Sequence, residues 1–270
     1  MPTPRPHQCV ISVQDKQFIT PNYLRIVFNC PDATHYKDTP IGDNNKLFIP
    51  PQGQKEVQLP TFDFENRRWL VEDESKRPTV RTYTHRAIDL DKQQITIDFA
   101  IHEGDSIACS WARNSKIGDQ IGVTMQVQAR KTLPEVDNYL FVTDPTGLPV
   151  TAAFLENLAP EARAYVIAEV PTEQDFLPMP SAADVTIEWV VNPHPEQGSP
   201  LYERVKQLNP ALLFENGTRY AHITAEYSTI RNTRNYLRKE LGWTRDECYA
   251  CSYWQIGKTE DKLGKKVMDD

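Results

Sequence analysis

The sequence has no apolar run long enough for a membrane-spanning helix, which needs roughly 20 consecutive apolar residues. It has no G-x-G-x-x-G, and with only 11 glycines it carries no Rossmann phosphate fingerprint. Its opening stretch, Met-Pro-Thr-Pro-Arg-Pro-His-Gln-Cys, lacks the apolar core of a secretory signal. Cysteines are few, odd in number and scattered (Cys9, Cys30, Cys109, Cys248, Cys251), the usage of a reducing compartment rather than of a disulfide framework. These absences together lead us to expect a soluble, cytoplasmic protein. Positive charge is in deficit, giving a net charge of −7, which argues against nucleic acid as the main partner and leaves room for a local basic pocket. Neither an internal repeat nor a low-complexity segment is present. Cys248-Tyr-Ala-Cys251 is a C-x-x-C, but its aromatic surroundings at 247–254 read as a strand, and no second ligand pair stands at zinc spacing. It is read as two buried thiols, with a redox role as the minor alternative.

What is present falls into two rhythms. Residues 8–14 and 23–29 are β-rich and partly alternating, and 44–50 is a third strand closed by prolines. Residues 51–76 are polar and irregular apart from Trp69-Leu-Val, an excursion expected to lie over a bound ligand. Strands at 79–87 and 94–102, a short helix near 108–114, a turn at 116–119 and an alternating stretch at 120–128 follow. Six short strands with turn signals predict a small antiparallel barrel. The composition shifts near 129–138. Beyond it come apolar strands at 139–143, 164–170, 185–191, 219–225 and 247–254. Helices to Leu158, at 201–208 and at 227–241 alternate with them, which predicts a parallel sheet covered on both faces. The expected fold class is β plus α/β. An antiparallel six-stranded β-barrel over 1–130 and a linker at 131–138 lead into a nucleotide-binding-like α/β domain over 139–270, ending in a charged tail.

The residues most suggestive of chemistry lie at 81–112. In Arg81-Thr-Tyr-Thr-His-Arg86, Arg81 and Tyr83 share a strand face, with Thr84 alongside, while Arg81 and Arg86 point to opposite faces. The loop from Gly104 to Ser110 leads into a helix and can offer free backbone N–H groups, an anion site by dipole and by unsatisfied donors. A phenol, a guanidinium and an amide-lined loop suit a flavin with its pyrophosphate. The same features also suit a solvated sheet face and ordinary helix capping, and spacing alone leaves both open.

Four segments in order tip the balance: Arg81–Arg86, Asp98-Phe-Ala-Ile-His102, Ala108-Cys-Ser-Trp-Ala112 and Tyr253-Trp-Gln-Ile-Gly257. The set resembles the signatures of the siderophore-interacting proteins, FAD-dependent ferric-siderophore reductases built like ferredoxin reductases, over nearly the whole chain. The resemblance implies FAD contacts for Arg81, Tyr83, Thr84, Arg86, Asp98, Phe99, Ala100, His102, Ala108, Cys109, Ser110 and Trp111. In the turn Thr143-Asp-Pro-Thr-Gly147 it implies an acid and a threonine, Asp144 and Thr146, facing the flavin and its reductant; a plain βα turn is the alternative. Thr224-Ala-Glu226 is similar to the family's Ala-Gly-Glu, and Glu226 is assigned a structural role first and a nicotinamide-side role second. Lys46, Lys258 and Lys262 are the implied cations for an anionic ferric siderophore.

The sequence also departs from the family pattern. Ser106-Ile107 replace Gly-Pro in the phosphate loop, Cys109 replaces serine and Gln255 replaces a basic residue. Thr124-Met-Gln-Val127 stands where Gly-Pro-x-Gly is usual. Backbone donors do not depend on side chains, so FAD binding can survive these changes. NADH or NADPH is the default donor, and the missing glycines keep ferredoxin open. A general flavin reductase and a non-enzymatic siderophore binder are the competing functions.

Overall fold

In the computed structural model, residues 6–258 are described, apart from Phe64, Arg67, residues 103–105, residues 130–131 and the side chain of Leu212. The chain divides into two compact units, Met1–Thr132 and Leu133–Asp270. Among the described residues no helix is long and apolar enough to cross a membrane.

The first unit is built on a seven-stranded antiparallel sheet. Its strands are β1 (His7–Thr20), β2 (Tyr23–Asn29), β3 (Asn44–Ile49), β6 (Thr79–Thr84), β7 (Ala87–Asp89), β8 (Gln94–Ala100) and β9 (Gln120–Met125). They are ordered β6-β3-β9-β1-β2-β8-β7. The two outermost strands, β6 and β7, are consecutive in sequence with only His85 and Arg86 between them. His85 N–H bonds Asp43 O beside β3 at 2.7 Å, and Arg86 N–H bonds Thr96 O of β8 at 3.2 Å. One peptide step therefore carries the chain from one margin of the sheet to the other, which requires the sheet to curl into a barrel. The strand expected over 79–87 breaks at this step, which is why seven strands form where six were expected. Arg86 consequently does not share an extended strand with Arg81.

Alternation decides the core. Ile11, Val13, Leu24, Ile26, Phe28, Leu47, Ile95, Ile97, Phe99, Ile121 and Val123 turn inward and are buried together. A small hairpin, β4 (Thr61–Asp63) with β5 (Arg68–Leu70), places Trp69 edge-on against Phe48, centroids 4.9 Å apart. Phe48 is the neighbour of Leu47 and takes the opposite side of β3. The 51–76 excursion thus covers the barrel's outside rather than the Arg81–Tyr83 face. The helix α1 (Ile107–Asn114) follows β8.

The second unit is a parallel sheet ordered β12-β11-β10-β13-β14, from β10 (Asn138–Thr143), β11 (Arg163–Val170), β12 (Asp184–Val191), β13 (Arg219–Glu226) and β14 (Cys248–Trp254). In chain order this is 3-2-1-4-5, with its reversal between β10 and β13. Apolar runs on both sides of β10, β11 and β13 demand cover on both faces. The helices α3 (Leu201–Leu208) and α5 (Tyr227–Asn235) bury Leu201, Val205 and Ile230 against one face. The helix α2 (Leu148–Leu155) packs Phe154 toward Phe141 and His222, the latter at 5.0 Å between centroids. A short helix α4 (Pro210–Leu213) follows α3, and only a 3-10 turn intervenes between β11 and β12.

Candidate functional site

β6 presents Arg81 and Tyr83 on the barrel's inner face. Arg81 lies opposite Leu47 and Tyr83 opposite Asn45, and Leu47 belongs to the core; directly opposed residues of antiparallel strands share a face. Both side chains are half-buried. The Tyr83 ring leans on Phe99, centroids 4.6 Å apart and tilted 46°, a geometry that fixes the phenol. Arg81 Nη1 donates to Val80 O at 2.8 Å. Thr84, the next residue, takes the other face and is buried, so it does not join the Arg81–Tyr83 pair there. Lys46 pairs with Thr82 and Thr124 across β3, also on the outer face, and its Nζ donates to Thr82 Oγ1. The structure does not bring Lys46 beside Arg81 and Tyr83.

On the opposite face of β8 from Phe99 lies a buried carboxylate hub. Asp98 accepts from Tyr23 Oη and from Arg25 Nε and Nη2, all at 2.8 Å, and Arg86 Nε stands 3.3 Å away. Desolvation and the Asp98 charge hold the Tyr23 phenol well above its ordinary value. Asp98 and Arg86 are 1% and 6% exposed, and the cluster ties β2 and β8 to the residue that closes the barrel. Phe99 is likewise enclosed, and its ring supports that of Tyr83.

The α1 segment is tied to the same strand. Cys109 donates its S–H to Ala100 O at 3.3 Å, which joins the helix start to the end of β8. Ser106 caps the helix by accepting from Cys109 N, one of the first-turn donors. The amides of Ile107 and Ala108 have no preceding helical carbonyl to bond. Ala108 and Cys109 side chains are buried and His102 and Ser110 are exposed. Burial raises the Cys109 thiol, but the hydrogen bond and charge of His102 outweigh it and leave the thiol below its ordinary value. Trp111 packs on the barrel core and stacks toward Phe28. Residues 103–105, with Gly104, lie outside the described residues.

Two buried side chains beside β6 have polar atoms without partners: Asn45, opposite Tyr83, and His85, both of whose ring nitrogens are unbonded. Burial holds His85 down to about 4 despite the charge of Asp43. Unsatisfied buried polar groups are costly and concentrate at functional sites. A half-buried cation, a braced phenol and helix-start amides fit the phosphates and ring system of FAD.

In the second unit, the strand ends carry three acids. Asp144 follows β10 and accepts from Thr146 N at 2.9 Å, Thr146 Oγ1 at 2.6 Å and Trp254 Nε1 at 2.7 Å. Burial raises its carboxyl against these bonds. Gly147 and Leu148 donate their N–H groups to Asp144 O, and Pro149 has none. The start of α2 is therefore occupied by Asp144 itself. Gly147 has no room for a side chain, because a Cβ would lie 2.5 Å from Thr224 O. Glu226 caps α5 through Ser228 N at 2.6 Å and Thr229 N at 3.3 Å, and accepts from Ile256 N at 3.3 Å, the structural role expected. Glu169, near the end of β11 and bonded by Ser199 Oγ, was not singled out from sequence; burial raises it to about 7. Its strand-end position was the available signal. Lys258 is exposed, just after Gly257 turns the chain at φ 75°, and Lys262 lies outside the described residues. Cys248 and Cys251 are buried, three apart on one strand. Their Cα atoms lie about 10 Å apart at roughly 3.3 Å per residue, beyond disulfide reach.

A curled antiparallel barrel bearing an Arg-x-Tyr-Thr edge, followed by a 3-2-1-4-5 parallel sheet, is the fold order of the ferredoxin-reductase-like flavoproteins, and ferredoxin reductases of far lower identity share it. The siderophore-interacting FAD-binding domain matches residues 12–127 and the siderophore-interacting protein domain matches residues 136–257. The chain belongs to the siderophore-interacting protein family. It is 26% identical over 259 residues to the ferric vibriobactin reductase ViuB of Vibrio cholerae, covering 94% of this chain and 93% of that protein. The siderophore-interacting protein SipS from Aeromonas hydrophila superposes with a TM-score of 0.74 at 27% identity, covering 95% of this chain and 94% of that one. A siderophore utilization protein from T. fusca, 23% identical, gives 0.82 over 97% of each chain and shares the fold.

Proposed function

We propose that the protein is an FAD-dependent ferric-siderophore reductase. The observation that carries this reading is the inner-face pair of Arg81 and Tyr83, braced by Phe99 at 4.6 Å and adjoined by a helix start anchored on Ala100. Arg81 binds FAD phosphate as a charge-assisted donor, Tyr83 packs on the isoalloxazine, and the amides of Ile107 and Ala108 complete the anion site. Bound FAD supplies the conversion between a two-electron donor and a one-electron Fe(III) acceptor. Fe(II) binds hard oxygen ligands less tightly, so reduction frees the iron. Lys258 is the cation that draws in the anionic chelate; the role read for Lys46 and Lys262 remains secondary to it. Five free thiols suit the reducing cytoplasm as the place of reaction.

The electron donor is proposed from the β10–α2 turn. The N–H groups of Thr146, Gly147 and Leu148 are all spent on Asp144, so of the helix-start amides only that of Val150 is left to a dinucleotide pyrophosphate. This favours ferredoxin over NADH or NADPH. The test is anaerobic addition of NADH, NADPH and reduced ferredoxin in turn to the FAD-loaded protein, followed by a ferric siderophore. The reading expects flavin bleaching by at least one donor and recovery on adding the chelate. Recovery only with free flavin would favour a general flavin reductase, and failure to take up FAD would favour a binding protein.

A further inference from the structure

The N-terminal edge of the barrel gathers a set of donors that the reductase reading leaves unused. His7 and Cys9 lie two apart on β1 and share a face, and Asp32 stands just beyond β2 at the start of a 3-10 turn. One ligand atom from each lies within 4.8 Å of the others. The His7 Nε2 to Asp32 Oδ2 distance is 2.8 Å. The Asp32 carboxylate makes no capping bond to its own turn, so it is not spent on local structure. Cys9 Sγ lies 3.4 Å from Tyr36 Oη and 3.9 Å from Cys30 Sγ. The His7 ring is held flat against His35, centroids 3.9 Å apart and 2° from parallel, which limits its freedom before any ligand arrives.

We propose that His7 Nε2, Cys9 Sγ and the Asp32 carboxylate form a binding site for a divalent first-row transition metal of the Zn2+ class. An imidazole, a thiolate and a carboxylate suit Zn2+, Co2+ or Fe2+; hard Mg2+ and Ca2+ prefer oxygen ligands throughout. Three protein ligands leave a fourth tetrahedral position, and water fills it from the side where His7 and Asp32 are 26% and 42% exposed. On binding, Cys9 loses its S–H proton to solvent as the metal–sulfur bond forms, the neutral His7 ring carries its one proton on Nδ1 so that the Nε2 lone pair takes the metal, and the Asp32 carboxylate exchanges its hydrogen bond with His7 for a metal–oxygen bond. No electron is transferred. The site joins β1 to the segment after β2 and does not depend on the reductase reading.

The test is Co2+ titration of the protein as purified, read through the thiolate-to-cobalt band and through the long-wavelength d–d bands of tetrahedral cobalt, which lie clear of flavin absorption. The expected result is one equivalent bound, displaced by Zn2+, with the thiolate band lost in Cys9→Ser and Kd raised 10- to 100-fold in His7→Gln and Asp32→Asn. The latter two change part-exposed side chains, so they report on the site even if Cys9→Ser folds poorly; matched far-UV circular dichroism checks each variant. Absence of a thiolate band in the wild type would overturn the proposal. So would a band of full strength in Cys9→Ser, or Kd values unchanged in both His7→Gln and Asp32→Asn.

Discussion

Trp254 gives its indole N–H to the Asp144 carboxylate at 2.7 Å across 110 positions of sequence. The bond joins the end of β14 to the turn after β10, so two segments that looked like separate signatures are one structural unit. Removing it with Trp254→Phe leaves a buried carboxylate one donor short. The expected cost is about 1–3 kcal/mol, read as a lower urea midpoint. Because the two groups act together, Asp144→Asn combined with Trp254→Phe is expected to cost less than the sum of the single changes.

Asp98 offers a harsher test of the barrel closure. It balances Arg25, Arg86 and Tyr23 from a fully enclosed position. Asp98→Asn leaves buried positive charge uncompensated, at a cost of about 3–5 kcal/mol. Chemical denaturation of the variant is expected to show that loss, and a stability equal to wild type would mean that the hub does not brace the closure.

His222 sets a pH dependence with a definite sign. It is boxed by Phe154 and Tyr249, with centroids 5.0 Å from each, and burial lowers it to about 3. The unfolded chain protonates this residue near its ordinary value of about 6.5, so between about 6.5 and 3 the unfolded state holds more protons. Stability therefore falls as pH falls through that window, by up to about 1.4 kcal/mol per pH unit from this group. Comparing wild type with His222→Phe isolates the effect, because the opposite contribution of Glu169 cancels. The difference between the two is expected to be constant above pH 7 and to move in favour of the variant below it.

Lys258 separates substrate from cofactor. Lys258→Ala is expected to raise KM for an anionic ferric chelate several-fold and to weaken its salt dependence, with FAD content unchanged. Lys46→Ala, on the barrel's outer face beside Thr82 and Thr124, is expected to have the smaller effect in steady-state kinetics.

Much of this was legible in the sequence because the signals were local. The alternation in 23–29 and the apolar run at 139–143 match β2 and β10 closely, and the turn ending at Gly147 marked the start of α2. The closure at His85–Arg86 was not legible, because an extended pattern gives no sign that its ends serve two margins of one sheet. The same limit hid which face Lys46 takes. Its face follows from Leu47 facing inward, and register across β3 and β6 is a tertiary fact. The partners of Asp98, Tyr23, Arg25 and Arg86, were not legible, because a motif records that a residue is fixed, not what it holds. Asp32 was invisible as a partner of His7 because 25 residues separate them.

The most direct measurement is FAD affinity, by fluorescence quenching, for wild type and Arg81→Ala. A charge-assisted bond to phosphate contributes about 1.5–3 kcal/mol, so the account predicts tight binding by the wild type and affinity lowered roughly 10- to 100-fold in the variant, with the fold intact. A wild-type protein that takes up no FAD, or an Arg81→Ala variant that binds it equally well, would contradict the account.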